Sequence, residues 1–178
     1  MGYGLPASIG ACEANADTGE YVKDVICFTG DGSIQMNLQE LETVIFHKMP
    51  IKIFVINNGG YHSIRQTQKR NFSEHCLVGI GEDSGDIGFP DMEKLAWAYG
   101  FPYVKILHNS ELHEGVARTL ATEGPVICEI YVTRDQNFEP KSSGKIMPDG
   151  TITSPPLEDL EPFLSDEELK GNMIVPME

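Results

Sequence analysis

The sequence predicts an α/β fold: an open parallel sheet with helices on both faces, followed by an irregular C-terminal tail. Apolar runs of strand length, rich in β-branched residues, alternate with segments whose apolar residues recur at helical spacing. The connections between them are short. Because a strand joined to the next strand by a helix pairs with it through a right-handed crossover, the sheet is expected to be parallel.

Each element has its own local signal. The predicted strands are the apolar runs 24–28, 51–56, 103–107 and 125–132. The predicted helices are 2–14, which is small and apolar, and 33–49, 91–99 and 110–122, which show helical periodicity. Pro50 stops one helix, Asp91 can cap another, and Gly100 can end that second helix.

The C-terminal part of the chain differs from the rest in charge and in proline content. From Glu158 to Glu178 there are seven acidic residues and one basic residue, Lys170. Prolines interrupt regular structure here and just before it. We therefore predict a folded domain at 1–135 and an extended acidic tail at 136–178, packed on or beside the domain, with one short helix near 165–170.

Composition excludes several classes of function. The formal net charge is −14, from 13 Lys and Arg against 27 Asp and Glu, which argues against nucleic acid as a partner. No apolar run is long enough to cross a bilayer and no cationic-then-apolar leader opens the chain. The four cysteines form no C-x-x-C pair, which predicts buried reduced thiols. We therefore expect a cytoplasmic protein with no membrane partner.

Two neighbouring strand ends carry unusual residues. The first predicted strand runs into Gly30-Asp31-Gly32-Ser33 and then a helix, and the second runs into Asn57-Asn58-Gly59-Gly60. Glycines allow close approach of the backbone to a ligand, and ligands of open parallel sheets bind at the carboxyl ends of the strands. Asp31 and Asn58 are one helix and one strand apart, so adjacent strands would bring them to one crevice.

Oxygen donors of this kind predict a hard divalent cation. A carboxylate, an amide oxygen and a backbone carbonyl suit Mg²⁺ or Ca²⁺ better than zinc. A cation would also let an acidic protein bind a diphosphate without a basic patch. Taken alone, Asn57–Gly60 fits equally well a tight turn that leads to a further strand, and the pairing with Asp31 favours the metal site.

GDG followed after one crossover by NN resembles the diphosphate-binding motif of thiamine diphosphate-dependent enzymes. The segments MGYGLPASIGA, GDGSIQMNLQELETV and PPLEDLEPFLSDEE are similar to the C-terminal, diphosphate-binding domain of acetolactate synthase and its relatives. The resemblance implies the thiamine diphosphate-binding fold, with thiamine diphosphate and Mg²⁺ as cofactors. It also implies a transferase or lyase that decarboxylates a small 2-oxo acid, with or without addition to a second carbonyl.

The resemblance carries roles over to the motif residues. The implied Mg²⁺ ligands are Asp31, Asn58 and the carbonyl oxygen of Gly60. The implied cofactor-binding residues are Met1, Gly2, Leu5, Gly30, Gly32, Ser33, Asn58, Gly60 and Tyr61. Within that set, Gly32 and Ser33 would contact the diphosphate, Met1 would support the bent shape of the cofactor, and Gly2 and Leu5 would lie on its aminopyrimidine side.

Enzymes of this family also have a pyrimidine-binding domain, whose glutamate activates the cofactor, and the printed chain has no counterpart of it. We therefore expect this chain to be inactive without a pyrimidine-binding domain or subunit. Three interpretations stay open: one domain of an acetolactate synthase-like enzyme, the small subunit of a split 2-oxo acid decarboxylase, or a non-catalytic cofactor-binding module. The exposed domain-facing surface also predicts a homo-oligomer.

Charged residues after the NNGG turn are further candidates. His62 can act as a proton shuttle near neutral pH, and we take it as the candidate catalytic residue, with a plain loop histidine as the alternative. The basic trio Arg65, Lys69 and Arg70 is most simply interpreted as the solvated face of a loop.

Overall fold

The computed structural model describes residues 1–17, 20–21, 23–72, 77–134, 136 and 138–175. Its internal contacts divide the chain into two compact units, Met1–Arg134 and Asp135–Glu178. Among the described residues, no helix is both long and apolar enough to cross a membrane.

The first unit contains six strands and six α-helices among its described residues. The strands are β1 (Ala16–Asp17), β2 (Glu20–Tyr21), β3 (Val25–Gly30), β4 (Ile51–Asn57), β5 (Tyr103–Ile106) and β6 (Val126–Tyr131). The helices are α1 (Gly4–Ala14), α2 (Asp31–Ile34), α3 (Glu40–Phe46), α4 (His62–Phe72), α5 (Met92–Tyr99) and α6 (Leu112–Ala121).

The central sheet has the strand order β3-β4-β6-β5, and every pairing in it is parallel. This confirms the predicted fold class. Gly30 of β3 lies opposite Ile56 of β4, and Asn57 lies opposite Tyr131 of β6. The carboxyl ends of three neighbouring strands therefore meet at one edge of the sheet.

Helices cover both faces of the sheet. On one face α1, α3 and α5 contribute Leu5, Leu41 and Ala96 to a core that also includes strand residues of β4 and β6. On the other face α6 packs against β5 and β6. A Cβ at Gly115 would lie 2.5 Å from Ile106, so this glycine allows α6 to approach the sheet closely.

Two predicted elements differ from the structure. The helix predicted at 33–49 is divided into α2, a 3₁₀ turn at Gln35–Asn37 and α3, and Asn37, at the end of that turn, donates its side-chain amide to the Gly2 carbonyl. The stretch taken as a loop contains α4. Its sequence is almost entirely polar, and its Ile64 is partly exposed, so it carries no apolar periodicity from which a helix could be predicted.

Capping signals and cysteine positions agree with the sequence. Asp91 accepts a hydrogen bond from the Lys94 backbone at 3.1 Å at the start of α5, and Gly100 ends that helix in a left-handed conformation. The buried free cysteines are Cys12, Cys27 and Cys128. The fourth, Cys76, lies outside the described residues.

The second unit is not extended throughout. It contains a short antiparallel pair, β7 (Lys145–Ile146) with β8 (Ile152–Thr153), and the helix α7 (Asp166–Asn172). Ser165 caps α7 by accepting from the Glu168 backbone at 3.2 Å, at the position where a short helix was predicted.

Candidate functional site

The candidate site lies where β3 and β4 end. Asp31 is the first residue of α2 and follows β3 directly, while the Asn57–Gly60 turn follows β4. The Gly60 N–H donates to Oδ2 of Asp31 at 2.8 Å. The two motifs that the sequence placed one crossover apart are therefore in direct contact.

Asp31 is a buried carboxylate with an unmatched oxygen. Only 4% of the residue is exposed. Burial raises the pKa of Asp31, and backbone N–H groups, those of Gly32 and Gly60 foremost, partly oppose that rise. Its Oδ1 atom is buried and has no hydrogen-bond partner within the described part of the chain. A nearby cation would favour the ionised form.

Asn58 has the same property. Its Oδ1 is buried and unpartnered among the described residues. Since an unsatisfied buried oxygen costs about 1–3 kcal/mol, two such atoms in adjoining motifs need a physical reason. A shared divalent cation would satisfy both.

The donor set fits Mg²⁺. Asp31 supplies a carboxylate oxygen, Asn58 an amide oxygen and Gly60 a backbone carbonyl, all hard ligands of the type that Mg²⁺ takes. No group of three or more His, Cys, Asp and Glu side chains converges in the described ranges. A softer, transition-metal type of site is therefore not found there.

The start of the chain is anchored beside these motifs. The Gly2 N–H donates to the Ser33 hydroxyl at 2.9 Å, and the Gly2 carbonyl accepts from the Asn37 side chain. Gly2 has φ +76°, and a Cβ there would lie 2.9 Å from the Cβ of Met36. Glycine is required at this contact, and Met1, which is 70% exposed, stands next to it.

Two other glycines allow close packing within the site. A Cβ at Gly32 would lie 2.5 Å from the Tyr61 ring, which itself packs edge-on against Phe89. Gly60 has φ +134°, and a Cβ there would lie 1.9 Å from the carbonyl oxygen of Ile80. The site is therefore assembled from backbone in close contact, which larger residues would prevent.

Other predicted residues are placed less directly. Gly30 is the cap residue between β3 and α2. Leu5 is 2% exposed and belongs to the apolar core under α1, and its cofactor-binding role stays a prediction. His62 is buried in α4, with its Nδ1 atom 3.3 Å from Nη1 of Arg65. Its catalytic role stays a prediction.

A polar cavity of about 300 Å³ opens from this crevice. It extends past the end of β6 and has an uneven charge distribution, with several carboxylates and one guanidinium. Its charged lining residues are Asp31, Glu82, Asp91, Glu129 and Arg134.

Sequence reasoning missed two buried charged residues at this site. Arg65, interpreted as part of a solvated loop, is only 2% exposed; this interpretation was wrong because Arg65 forms an ion pair with Asp83 at 3.0 Å. Glu129 is also buried, inside a strand that is otherwise apolar. A lone acid in an apolar strand is a usable signal, since buried Glu is nearly always paired.

An open parallel sheet with a polar crevice at its carboxyl edge defines a class of α/β domain that binds small ligands at that edge. Residues 1–130 match the family model described as "Thiamine pyrophosphate enzyme, C-terminal TPP binding domain". Because that match covers most of the chain, the chain belongs to the family of C-terminal thiamine pyrophosphate-binding domains. Thiamine pyrophosphate is another name for thiamine diphosphate.

Individual relatives agree with the family. The acetolactate synthase large subunits of Cyanidium caldarium and Porphyra purpurea are each 36% identical to this chain, over 143 and 140 residues. Acetolactate synthase 2, chloroplastic, of Zea mays is 34% identical over 143 residues. Each alignment covers 79% of this chain and 22% of the relative, so the chain spans about a fifth of their length.

Proposed function

We propose that the chain binds thiamine diphosphate through a Mg²⁺ ion held by Asp31, Asn58 and the Gly60 carbonyl. The observation that carries this proposal is the pair of buried, unpartnered oxygens, Asp31 Oδ1 and Asn58 Oδ1. They belong to two turns joined by the hydrogen bond from Gly60 to Asp31.

Residues beside the metal site would hold the diphosphate. Gly32, whose missing side chain makes room for the Tyr61 ring, would contact a phosphate oxygen through its backbone. The Ser33 hydroxyl accepts from Gly2, so its own proton remains available for donation to a phosphate oxygen. The same hydrogen bond keeps Met1 and Gly2 at the site, next to the rest of the cofactor.

The proposed reaction is decarboxylation of a 2-oxo acid, with or without addition to a second carbonyl. Thiamine diphosphate, when bound, supplies the chemistry of that reaction, and the protein supplies binding, orientation and electrostatics. Support for the reaction class comes from the names of the relatives, which are acetolactate synthases. The identity of the 2-oxo acid is left open.

We further propose that this chain needs a pyrimidine-binding domain or subunit for turnover. A split decarboxylase with this chain as its small subunit is the second candidate, and a non-catalytic cofactor-binding module is the third. Homo-oligomerisation and a cytoplasmic location complete the proposal; light scattering tests the first and cell fractionation the second.

Calorimetric titration tests the metal site. The purified chain is titrated with thiamine diphosphate at saturating Mg²⁺ and again in the presence of EDTA. Asp31→Ala should abolish the Mg²⁺-dependent binding, while the matched control Asp149→Ala, at an exposed position in the second unit, should bind like the unaltered chain. Equal affinity of Asp31→Ala and the unaltered chain would rule out the metal site, and no binding by the unaltered chain would overturn the proposal.

A second assay separates the candidate functions. Pyruvate is offered to the loaded chain alone and then with an added pyrimidine-binding domain from a relative. Release of carbon dioxide only in the second case supports a half-site. Turnover by the chain alone would contradict the need for a partner, and tight cofactor binding without turnover in either case would favour the non-catalytic module.

A further inference from the structure

The turn from Asn57 to Gly60 carries two of the proposed metal ligands on a flexible type of backbone. Gly59 and Gly60 have φ values of +70° and +134°. Because glycine visits many conformations at little cost, such a turn needs contacts from outside to hold one conformation. Two buried charged side chains, one on each side, make those contacts.

Glu129 holds the first part of the turn. It lies on β6 with 2% of its surface exposed, and its Oε1 accepts from Asn57 Nδ2 at 2.7 Å. Since a carboxylate only accepts hydrogen bonds, Asn57 must direct its Nδ2 to Glu129 and its Oδ1 towards the turn. There Oδ1 accepts from the Gly59 N–H at 3.0 Å. Glu129 thereby sets the orientation of the Asn58–Gly59 peptide.

Arg65 holds the next peptide. Its Nη2 donates to the Gly59 carbonyl at 3.1 Å, and the N–H on the other side of that peptide, from Gly60, donates to Asp31 at 2.8 Å. A peptide group is a rigid plane, so fixing its oxygen and its N–H fixes its orientation. Arg65 is itself fixed by two hydrogen bonds to Asp83, at 3.0 and 3.1 Å.

We propose that Glu129 and Arg65 are positioning residues that clamp the Asn57–Gly60 turn and thereby make its metal site selective for Mg²⁺ over Ca²⁺. This inference rests on the proposed function. Mg²⁺ requires near-ideal octahedral geometry at about 2.0–2.1 Å, whereas Ca²⁺ accepts six to eight ligands over a broader range of distances. A loosened turn therefore loses Mg²⁺ affinity faster than Ca²⁺ affinity.

A purely structural role would have a different consequence. Lys52 provides the comparison, because it is another buried charged residue, 1% exposed, on the strand that leads into the turn. It lies at the opposite end of β4 and donates to the carbonyl of Gly124 at 2.7 Å and to that of Thr122. Loss of Lys52 should destabilise the fold without changing the ratio of the two ion affinities.

The experiment measures that ratio. The purified chain and its variants are titrated with MgCl₂ and separately with CaCl₂ at a fixed concentration of thiamine diphosphate, and heat of binding gives the two dissociation constants. Thermal unfolding by circular dichroism is recorded in parallel. Glu129→Met removes both carboxylate oxygens while keeping a similar side-chain volume. Arg65→Lys keeps the positive charge but loses the planar guanidinium that contacts Asp83 and the Gly59 carbonyl together.

Both variants should weaken Mg²⁺ binding about tenfold or more, as loss of a partner that orients a metal ligand does. Ca²⁺ binding should weaken about threefold or less, given its tolerance of irregular coordination. In the unaltered chain the Tyr103 hydroxyl donates to the second oxygen of Glu129. Glu129→Gln should retain the ratio of the unaltered chain, because its amide can accept from Asn57 and donate to the Tyr103 hydroxyl. Lys52→Met should lower the melting temperature and leave the ratio unchanged.

Several results would overturn the inference. One is an unchanged ratio in Glu129→Met and Arg65→Lys, and another is an equal shift in Lys52→Met. If either clamp variant fails to fold, Asp83→Asn is measured in its place, because Asp83 is 29% exposed. This substitution should shift the ratio of the two ion affinities in the same direction by a smaller factor. An unchanged ratio there also contradicts the clamp.

Failure of the inference is distinguishable from failure of the proposed function. If the unaltered chain binds Mg²⁺ and thiamine diphosphate and Asp31→Ala does not, the metal site stands, and an unchanged ratio in the clamp variants removes the clamp alone. If the unaltered chain binds neither, both fall.

Discussion

Substitution of Gly60 by alanine should destabilise the protein more than substitution of any glycine that merely has a positive φ. A Cβ at Gly60 would lie 1.9 Å from the Ile80 carbonyl oxygen and 3.0 Å from its carbon, both of them backbone atoms. Gly79, on the same loop as Ile80, has φ +67°, and among the described residues beyond its two chain neighbours no heavy atom lies within 4 Å of its Cβ position. Gly79→Ala is therefore the matched control that contains the backbone strain without the collision.

The expected magnitudes follow from these contacts. At Gly79 the left-handed conformation alone should cost about 1 kcal/mol. At Gly60 the strain of φ +134° adds about 1–3 kcal/mol. The Ile80 carbonyl must also move by more than an ångström, which breaks its 2.7 Å hydrogen bond from the Tyr61 N–H, a further loss of about 1–3 kcal/mol. The total, about 2–6 kcal/mol, is a large part of the stability of an ordinary domain.

Urea and thermal unfolding followed by circular dichroism measure both variants. For a chain of this size, about 2–4 °C of melting temperature corresponds to each kcal/mol. Gly79→Ala should therefore melt about 3 °C lower and Gly60→Ala about 10 °C lower or more. A Gly60→Ala variant whose free energy of unfolding lies within about 0.5 kcal/mol of that of Gly79→Ala would refute the reasoning, since it would mean that the turn does not pack on Ile80.

Three further predictions concern acid stability, the chain start and the thiols. The hydrogen bond from Arg65 holds the pKa of Asp83 below its ordinary value of 3.8. The stability that this pairing contributes is therefore full above that ordinary value and is lost as the pH falls through the lower pKa of the folded state. Asp83→Asn should flatten the acid limb of a curve of stability against pH, and an unchanged limb would contradict the pairing. Gly2→Ala should weaken cofactor binding and lower the melting temperature, because its Cβ would meet Met36 at 2.9 Å; unchanged calorimetric affinity would argue against the anchoring of the chain start. A Cys76→Ser variant retains three buried thiols whose pKa is raised by burial: Cys12, Cys27 and Cys128. These thiols should react slowly with a disulfide reagent until urea unfolds the protein. Fast reaction in the native protein would contradict their burial.

The strands of the main sheet could be predicted because their signals are local. Each of the four is a short apolar run bounded by turn residues, and the structure places each within two residues of its predicted limits. The parallel pairing also follows from the alternation of strands with helices. Helix α4 could not be predicted in the same way, because its buried Arg65 pairs with Asp83, which is far away along the chain.

The glycine and asparagine motifs show the same division. Their residue types and their spacing along the chain are enough to predict a crevice with oxygen donors. The distance between Gly60 and Asp31 depends on β3 and β4 being neighbours in the sheet, which the pairing of Gly30 with Ile56 shows. The two unpartnered oxygens become visible only when the polar groups around them have been matched with their partners.

The sequence by itself determined the fold class, the strand positions, the two turns and the types of ligand atom that they offer, because these depend on residues close together along the chain. Only the tertiary structure decided which buried charges support the turns. Glu129 and Asn57 are 72 residues apart, and Arg65 and Asp83 are 18 apart. No periodicity or motif links such residues, because their pairing results from strand order and from burial. Burial excludes water, so each buried charge depends on the partner that the fold supplies.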